Sequence, residues 1–183
     1  ISYSVTGVQT CALPILPSRE GSPITADAID RWRILVALRD GDYRTALKAA
    51  LDRIRGGESD AAIRSVAAQA NYELRRFDRA AAHYRRAVEA DPGAPEFRLG
   101  LALSLCELGD YTGARVAAKS ASARGAPRDD TLYVEVICDV STGTDPAALL
   151  PKVQALLRTR PGDPRLMQRS EERRVGKECR SRW

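Results

Sequence analysis

His83 is the single histidine in 183 residues, so imidazole chemistry has one candidate. It stands among Ala82, Tyr84 and Arg85, and no Ser, Cys or Asp constellation accompanies it. A general base needs such a partner to receive or deliver a proton, and a nucleophile needs an adjacent base. His83 is therefore read as a surface or packing residue. The four cysteines, Cys11, Cys106, Cys138 and Cys179, lack the close pairing of a zinc or iron–sulfur site. Cys106 and Cys138 each sit in an apolar run and are read as small buried hydrophobes. RGGESD, Arg55 to Asp60, has no phosphate-loop pattern and reads as a connector. Arg75, Arg76, Arg79, Arg85 and Arg86 form a basic run interleaved with Asp78 and Glu89, which at helical spacing is a solvated outer face. The Trp32-Arg33 pair reads as helix packing beside a snorkelling charge. These residues imply no catalysis, no cofactor and no metal. The question becomes what surface the chain presents.

The net charge of +5 invites a nucleic-acid reading. Six of the basic residues and three acids, however, lie in residues 169–183, and the charge without them is only +2. That terminal string, RSEERRVGKECRSRW, has no helical or strand periodicity and resembles the translation of a sequencing adapter. SVTGVQTCALPI, Ser4 to Ile15, resembles the partner adapter. Residues 1–15 and 169–183 are set aside as adapter-like additions and expected to be disordered. Residues 16–25 read as a linker, and Leu166 and Met167 as the start of an element cut short. The remaining sequence is then a fragment open at both ends, and no nucleic-acid partner is expected. Its alanine and arginine richness is that of a GC-rich bacterial genome. No apolar run is long enough to span a membrane, and the cytoplasm is the default compartment.

The elements that must build a surface come from a repeat. DGDYRTA (Asp40 to Ala46), RRFDRAA (Arg75 to Ala81) and LGDYTGA (Leu108 to Ala114) place Tyr43, Phe77 and Tyr111 at intervals of 34. Ala46, Ala80 and Ala114 keep that interval, and Ala148 extends it. Each unit reads as two amphipathic helices. In the second, Ile63, Val66, Ala67, Ala70 and Leu74 form one apolar stripe. After a break at Arg75-Arg76, Phe77, Ala80, Ala81, Tyr84, Ala87 and Val88 form another, ended by Asp91-Pro92-Gly93. In the third, a helix from Pro95 to Leu108 precedes a turn at Gly109-Asp110. Asp110 and Asp42 are placed to cap the helices that follow, whereas Arg76 cannot. Thr25 or Asp27 is expected to cap the first helix. Leu132 to Val140 and Asp145 to Arg158 are expected to form the fourth pair, with Pro151 kinking or shortening the last helix. Lacking a following unit, the apolar face of that helix, including Leu156, is expected to be partly uncovered. The alanines let paired helices approach, and Ala80→Leu should overpack the contact by about 1–3 kcal/mol.

On these residues the chain resembles the tetratricopeptide repeat family. The matching pattern is Ala68, Phe77, Ala80, Tyr84, Ala87 and Pro92 in the second unit, and Leu101, Ala102, Gly109, Tyr111, Ala114 and Ala121 in the third. The first unit departs at Ile34 and Arg53, and in the fourth Pro127 and Pro161 arrive one residue late. The resemblance implies an all-α fold, a right-handed superhelical solenoid of about four helix-turn-helix units over residues 26–60, 61–94, 95–129 and 130–164. It also implies a concave groove lined by the first helix of each unit. The stripe there would be Arg31, Leu35 and Leu38, then Ser65, Gln69, Tyr72 and Glu73, then Leu99, Leu103, Cys106 and Glu107, with Tyr133 and Ile137 extending it. A family subgroup grips a chaperone's terminal carboxylate with Lys, Asn and Arg. The corresponding places here are Arg31, Leu35, Val66, Glu96 and Gly100, so that clamp is absent. The function implied is a non-catalytic scaffold that takes a protein or peptide partner, with Tyr72 as anchor. The alternative is a docking arm of a larger enzyme whose catalytic domain lies outside this sequence.

Overall fold

The computed structural model describes residues 26–57 and 60–159. The adapter-like ends, the linker over 16–25, and Thr25, Pro161, Leu166 and Met167 lie outside the described residues. Eight helices follow in order: α1 Ala26–Arg39, α2 Tyr43–Arg55, α3 Ala61–Glu73, α4 Phe77–Ala90, α5 Pro95–Glu107, α6 Tyr111–Ser122, α7 Arg128–Ser141 and α8 Pro146–Thr159. No strand occurs among the described residues. The helices pair as α1/α2, α3/α4, α5/α6 and α7/α8, and each pair packs on the next. This is an all-α helical-repeat solenoid.

The turn inside each pair is built by one backbone device. The second residue after each first helix has positive φ: Gly41 (82°), Arg75 (59°), Gly109 (79°) and Gly143 (74°), spaced by 34 throughout. The left-handed conformation reverses the chain, and two amide hydrogen bonds then close each helix end. In the third unit these are Gly109 N–H to the Cys106 carbonyl (3.1 Å) and Asp110 N–H to that of Leu105 (2.9 Å). The second unit makes the same pair, Arg75 N–H to Tyr72 (2.9 Å) and Arg76 N–H to Asn71 (2.8 Å), although Arg75 has a Cβ. The capping expectation holds. Asp42 accepts from Thr45 N–H, Asp110 accepts from Gly113 N–H, and Arg76 makes no side-chain cap. The Thr45 amide and hydroxyl also hold the Asp42 carboxyl below the ordinary carboxylate range. Asp27 is the second residue of α1.

Tyr43, Phe77 and Tyr111 each open a second helix and each is half-buried, so they hold the same place in their units. Ala46, Ala80 and Ala114 are fully buried, which gives each helix pair a contact with no side chain beyond Cβ. The fourth unit breaks this beat. α8 begins at Pro146, 35 residues after Tyr111, so Ala148 is exposed and Leu149 is buried in its place. Asp145 caps α8 by accepting from Ala147 N–H (3.1 Å). α7 starts at Arg128, four residues before the expected Leu132, because the Pro127 carbonyl accepts from Asp130 and Thr131 and so adds a turn. Pro151 does not shorten α8, which runs on to Thr159. Leu156 is not uncovered but fully buried with Tyr133, Val136 and Leu149.

The core is a string of clusters, each spanning neighbouring units. Ile34 packs with Leu47, Ala50, Ile63, Val66, Ala67 and Ala70 across units one and two. Ala87, Ala94 and Phe97 join units two and three. Ala118, Val134 and Cys138 belong to the cluster joining three and four. Stability in such a chain is close to a sum of unit and interface terms. Polar clamps reinforce two junctions. The Pro92 carbonyl accepts from Arg98 (2.7 Å) and Arg124 (2.9 Å), which ties α5 and the turn after α6 to the loop before α5. Asp139 accepts from Arg115 (2.9 Å) and Lys152 (2.8 Å), joining α6, α7 and α8. The Asp139 hydrogen bond holds the Lys152 ammonium above its ordinary pKa.

Candidate functional site

Successive first helices touch one another, α1 with α3, α3 with α5 and α5 with α7. Successive second helices make no comparable contact. In a curved stack the elements that approach across units lie on the shorter, inner side. The first helices therefore line the inward face, as the repeat pattern implies.

Residues 34 apart form rows across this face. One row is Arg31, Ser65, Leu99 and Tyr133. The next is Leu35, Gln69, Leu103 and Ile137. The third is Leu38, Tyr72, Cys106 and Val140, and Arg39, Glu73, Glu107 and Ser141 make the fourth. Exposure falls along the first row, and in the third row Cys106 alone is buried. Arg31 is exposed and Ser65 half-buried, but Leu99 and Tyr133 are only 3% and 4% exposed. Tyr72 is half-buried while Cys106 is buried. Leu99 and Cys106 thus belong to the core of unit three and present no side chain to a partner. Tyr133 is likewise core in unit four. Leu35 and Leu103 are half-buried against neighbouring clusters. Gln69 and Glu107 are exposed and Glu73 half-buried.

The polar members are already oriented. Arg31 pairs with Asp60 at 3.3 Å, an exposed bridge between α1 and the residue that caps α3. Exposed pairs of this kind are worth under about 1 kcal/mol, so Arg31 can exchange partners cheaply. Ser65 donates its hydroxyl to the Ala62 carbonyl one turn back (2.7 Å). The Tyr72 hydroxyl donates to Glu107 Oε1 at 3.4 Å, linking α3 to α5. Its ring meets Phe77 edge-on at 5.3 Å, and the Arg75 guanidinium lies 5.4 Å from the Phe77 centroid. Tyr72 is thus a ring held from two sides at the junction of two units, beside exposed Gln69 and acidic Glu73 and Glu107.

Sequence reasoning missed the support behind this face. A Cβ at Gly100 would stand 2.3–2.8 Å from the Tyr84 ring, so only glycine lets α4 press its tyrosine onto α5. Burial pushes the Tyr84 phenol well above its ordinary pKa and keeps it neutral. The signal was available in the match of Tyr84 to the repeat pattern, but Gly100 carries no mark of its own.

Elsewhere the residues behave as surface. Arg75, Arg76, Arg79, Arg85 and Arg86 are all exposed. His83 Nδ1 is buried without a hydrogen-bond partner among the described residues. Desolvation, then the charges of Arg86 and Arg64, hold its imidazole below the ordinary value. Trp32 is not packed as expected but 61% exposed, and Ile29 beside it is 39% exposed. Both stand 34 residues before Ile63 and Val66, which α2 covers. A cleft of about 370 Å³ opens between α1 and α2, lined by Ile34 and Ala37 and by Asp30, Arg33, Asp52 and Arg53. Among the described residues no cluster of His, Cys, Asp and Glu could hold a metal ion, and no helix is long and apolar enough to cross a membrane.

Comparison with known proteins agrees with this geometry. Residues 65–130, from α3 into α7, match the family model of the tetratricopeptide repeat. No curated protein matches the chain. Among solved structures, one similar chain is that of YrrB, described as a TPR protein with an unusual peptide-binding site. It aligns with a TM-score of 0.65 at 16% identity, over 80% of this chain and 75% of that one. At that identity the likeness is one of fold.

Proposed function

We propose that this chain, whose residues 65–130 match the tetratricopeptide repeat, is a protein-interaction module that takes a peptide segment across the inward face of α3 and α5. The observation that carries this reading is the Tyr72 ring, fixed between Phe77 and Glu107 where two first helices meet. A ring already held in place loses little rotamer freedom on binding, and such aromatic anchors dominate interface energetics. Gln69 offers amide donors and acceptors to a peptide backbone, and Glu73 and Glu107 set an acidic rim. A segment with an apolar residue next to a cationic one suits this chemistry. Arg31, Leu35, Ser65 and Leu103 extend the face on either side. Leu99 and Cys106 act beneath it as packing. The role is scaffolding, without catalysis.

Selection from a displayed library of unstructured peptides tests the proposal. Binders should lose at least about tenfold in affinity, near 1.4 kcal/mol, on Tyr72→Ala. They should keep it on Arg79→Glu and Arg85→Glu, which alter the outer helix. Far-ultraviolet circular dichroism checks that each variant keeps its helices. Binders indifferent to Tyr72→Ala but abolished by the outer substitutions would overturn the inward-face reading.

A further inference from the structure

Two thiols that the peptide face does not use meet across the junction of units three and four. Cys106 lies near the end of α5 and Cys138 in α7, helices that touch directly. Neither is in a disulfide, and their sulfurs are 3.5 Å apart. We propose that Cys106 and Cys138 are an oxidisable pair that closes to a disulfide between adjacent repeats. A disulfide has its sulfurs about 2.05 Å apart, so closure needs an approach of about 1.5 Å shared between two side chains already in contact. Around them stand Ala102, Ala114, Ala117 and Ala118, which offer little bulk to resist that shift. The two sites differ in access. Cys106 is 6% exposed and lies in the inward row of Tyr72, whereas Cys138 is fully buried. Cys106 is therefore the sulfur an oxidant meets first, and Cys138 the one that resolves it.

The oxidant is hydrogen peroxide. The Cys106 thiol gives its proton to water, the thiolate attacks one peroxide oxygen, the O–O bond breaks, and the departing hydroxide takes that proton back from water and leaves as water. The resulting sulfenic acid is attacked at sulfur by Cys138. The S–S bond forms as the S–O bond breaks, and the hydroxyl leaves with the Cys138 proton as a second water. Two thiols are oxidised by two electrons and one peroxide is reduced to two waters. The bond ties α5 to α7 and so fixes how units three and four sit, including the spacing of Leu103 and Ile137 on the inward face. This inference stands independently of what that face binds.

The test uses the full chain carrying Cys11→Ser and Cys179→Ser, treated with hydrogen peroxide, alkylated and digested with trypsin. The expected product links the peptide Leu99–Arg115 to Asp129–Lys152, is lighter than the two reduced peptides by two hydrogens, and disappears on treatment with dithiothreitol. The oxidised chain should melt at a higher temperature than the reduced one. In a Cys138→Ser variant the link should vanish and Cys106 should become reactive to dimedone. The same linked pair is sought in the unsubstituted chain, where pairings with Cys11 or Cys179 differ in mass. Cys106 and Cys138 both alkylated after peroxide, Cys106 recovered only as an unlinked sulfinic acid, or links found only between molecules would each overturn the proposal.

Discussion

Units three and four keep the same turning residue, Gly109 and Gly143, 34 apart and both at positive φ. They nonetheless bury different faces of the helix that follows. In unit three the helix starts two residues after the glycine, at Tyr111, and Ala114 is fully buried. In unit four it starts three residues after, at Pro146, and Ala148 faces solvent while Leu149 is 5% exposed. One residue is about 100° of helix rotation, enough to carry a side chain from the core to water. The glycine reverses the chain, but the length of the turn after it decides which side chains meet the core. The change of register also changes the packing: alanines dominate the cluster of unit three, whereas Tyr133, Val136, Leu149 and Leu156 fill that of unit four.

The sharpest way to break this comparison is Leu149→Ala. If Leu149 is the core residue, truncation leaves a cavity between α7 and α8 and costs about 2–5 kcal/mol in urea unfolding. A cost within about 0.5 kcal/mol, the range of surface substitutions, would place Ala148 in the core and restore the unbroken interval. Next in size is a matched pair. Ala114→Leu should overpack α5 against α6 and lose about 1–3 kcal/mol, while Ala148→Leu should change stability by less than about 0.5 kcal/mol. Equal losses would mean the two alanines are equivalent after all. The smallest effect concerns the turn itself. Arg75 holds the positive-φ place that glycine holds in the other units. Arg75→Gly should stabilise the protein by about 0.5–1 kcal/mol, because an L side chain is strained there. Destabilisation in the same unfolding assay would show that its approach to Phe77 outweighs the strain.

Most of the fold was legible because it repeats. Tyr43, Phe77 and Tyr111 marked the start of three second helices, and Asp42 and Asp110 marked their caps. Unit four misled for a physical reason: Ala148 kept the interval in sequence, but Thr144 and Asp145 together lengthen the turn, and helical phase is counted from the helix start. The inward face was legible in direction but not in depth. An interval of 34 assigns Leu99 and Cys106 to the rows of Ser65 and Tyr72. Burial depends on how closely the next unit overlaps them, and that is not a property of either row. Trp32 illustrates the converse. Its type suggests packing, yet its row partner Val66 is buried by α2, and no described helix precedes α1. Gly100 was silent because a missing Cβ matters only once Tyr84 is seen beside it.

The inner side of the first helices, around Tyr72, is the surface proposed to receive the partner. A selected peptide carrying a photoreactive side chain tests it directly, by irradiation of the complex and mapping of the cross-linked residues. Cross-links are expected in α3 and α5, within Gln69 to Glu73 and Leu103 to Glu107. Cross-links confined to Arg79, Arg85 and Arg86 on α4 would contradict it.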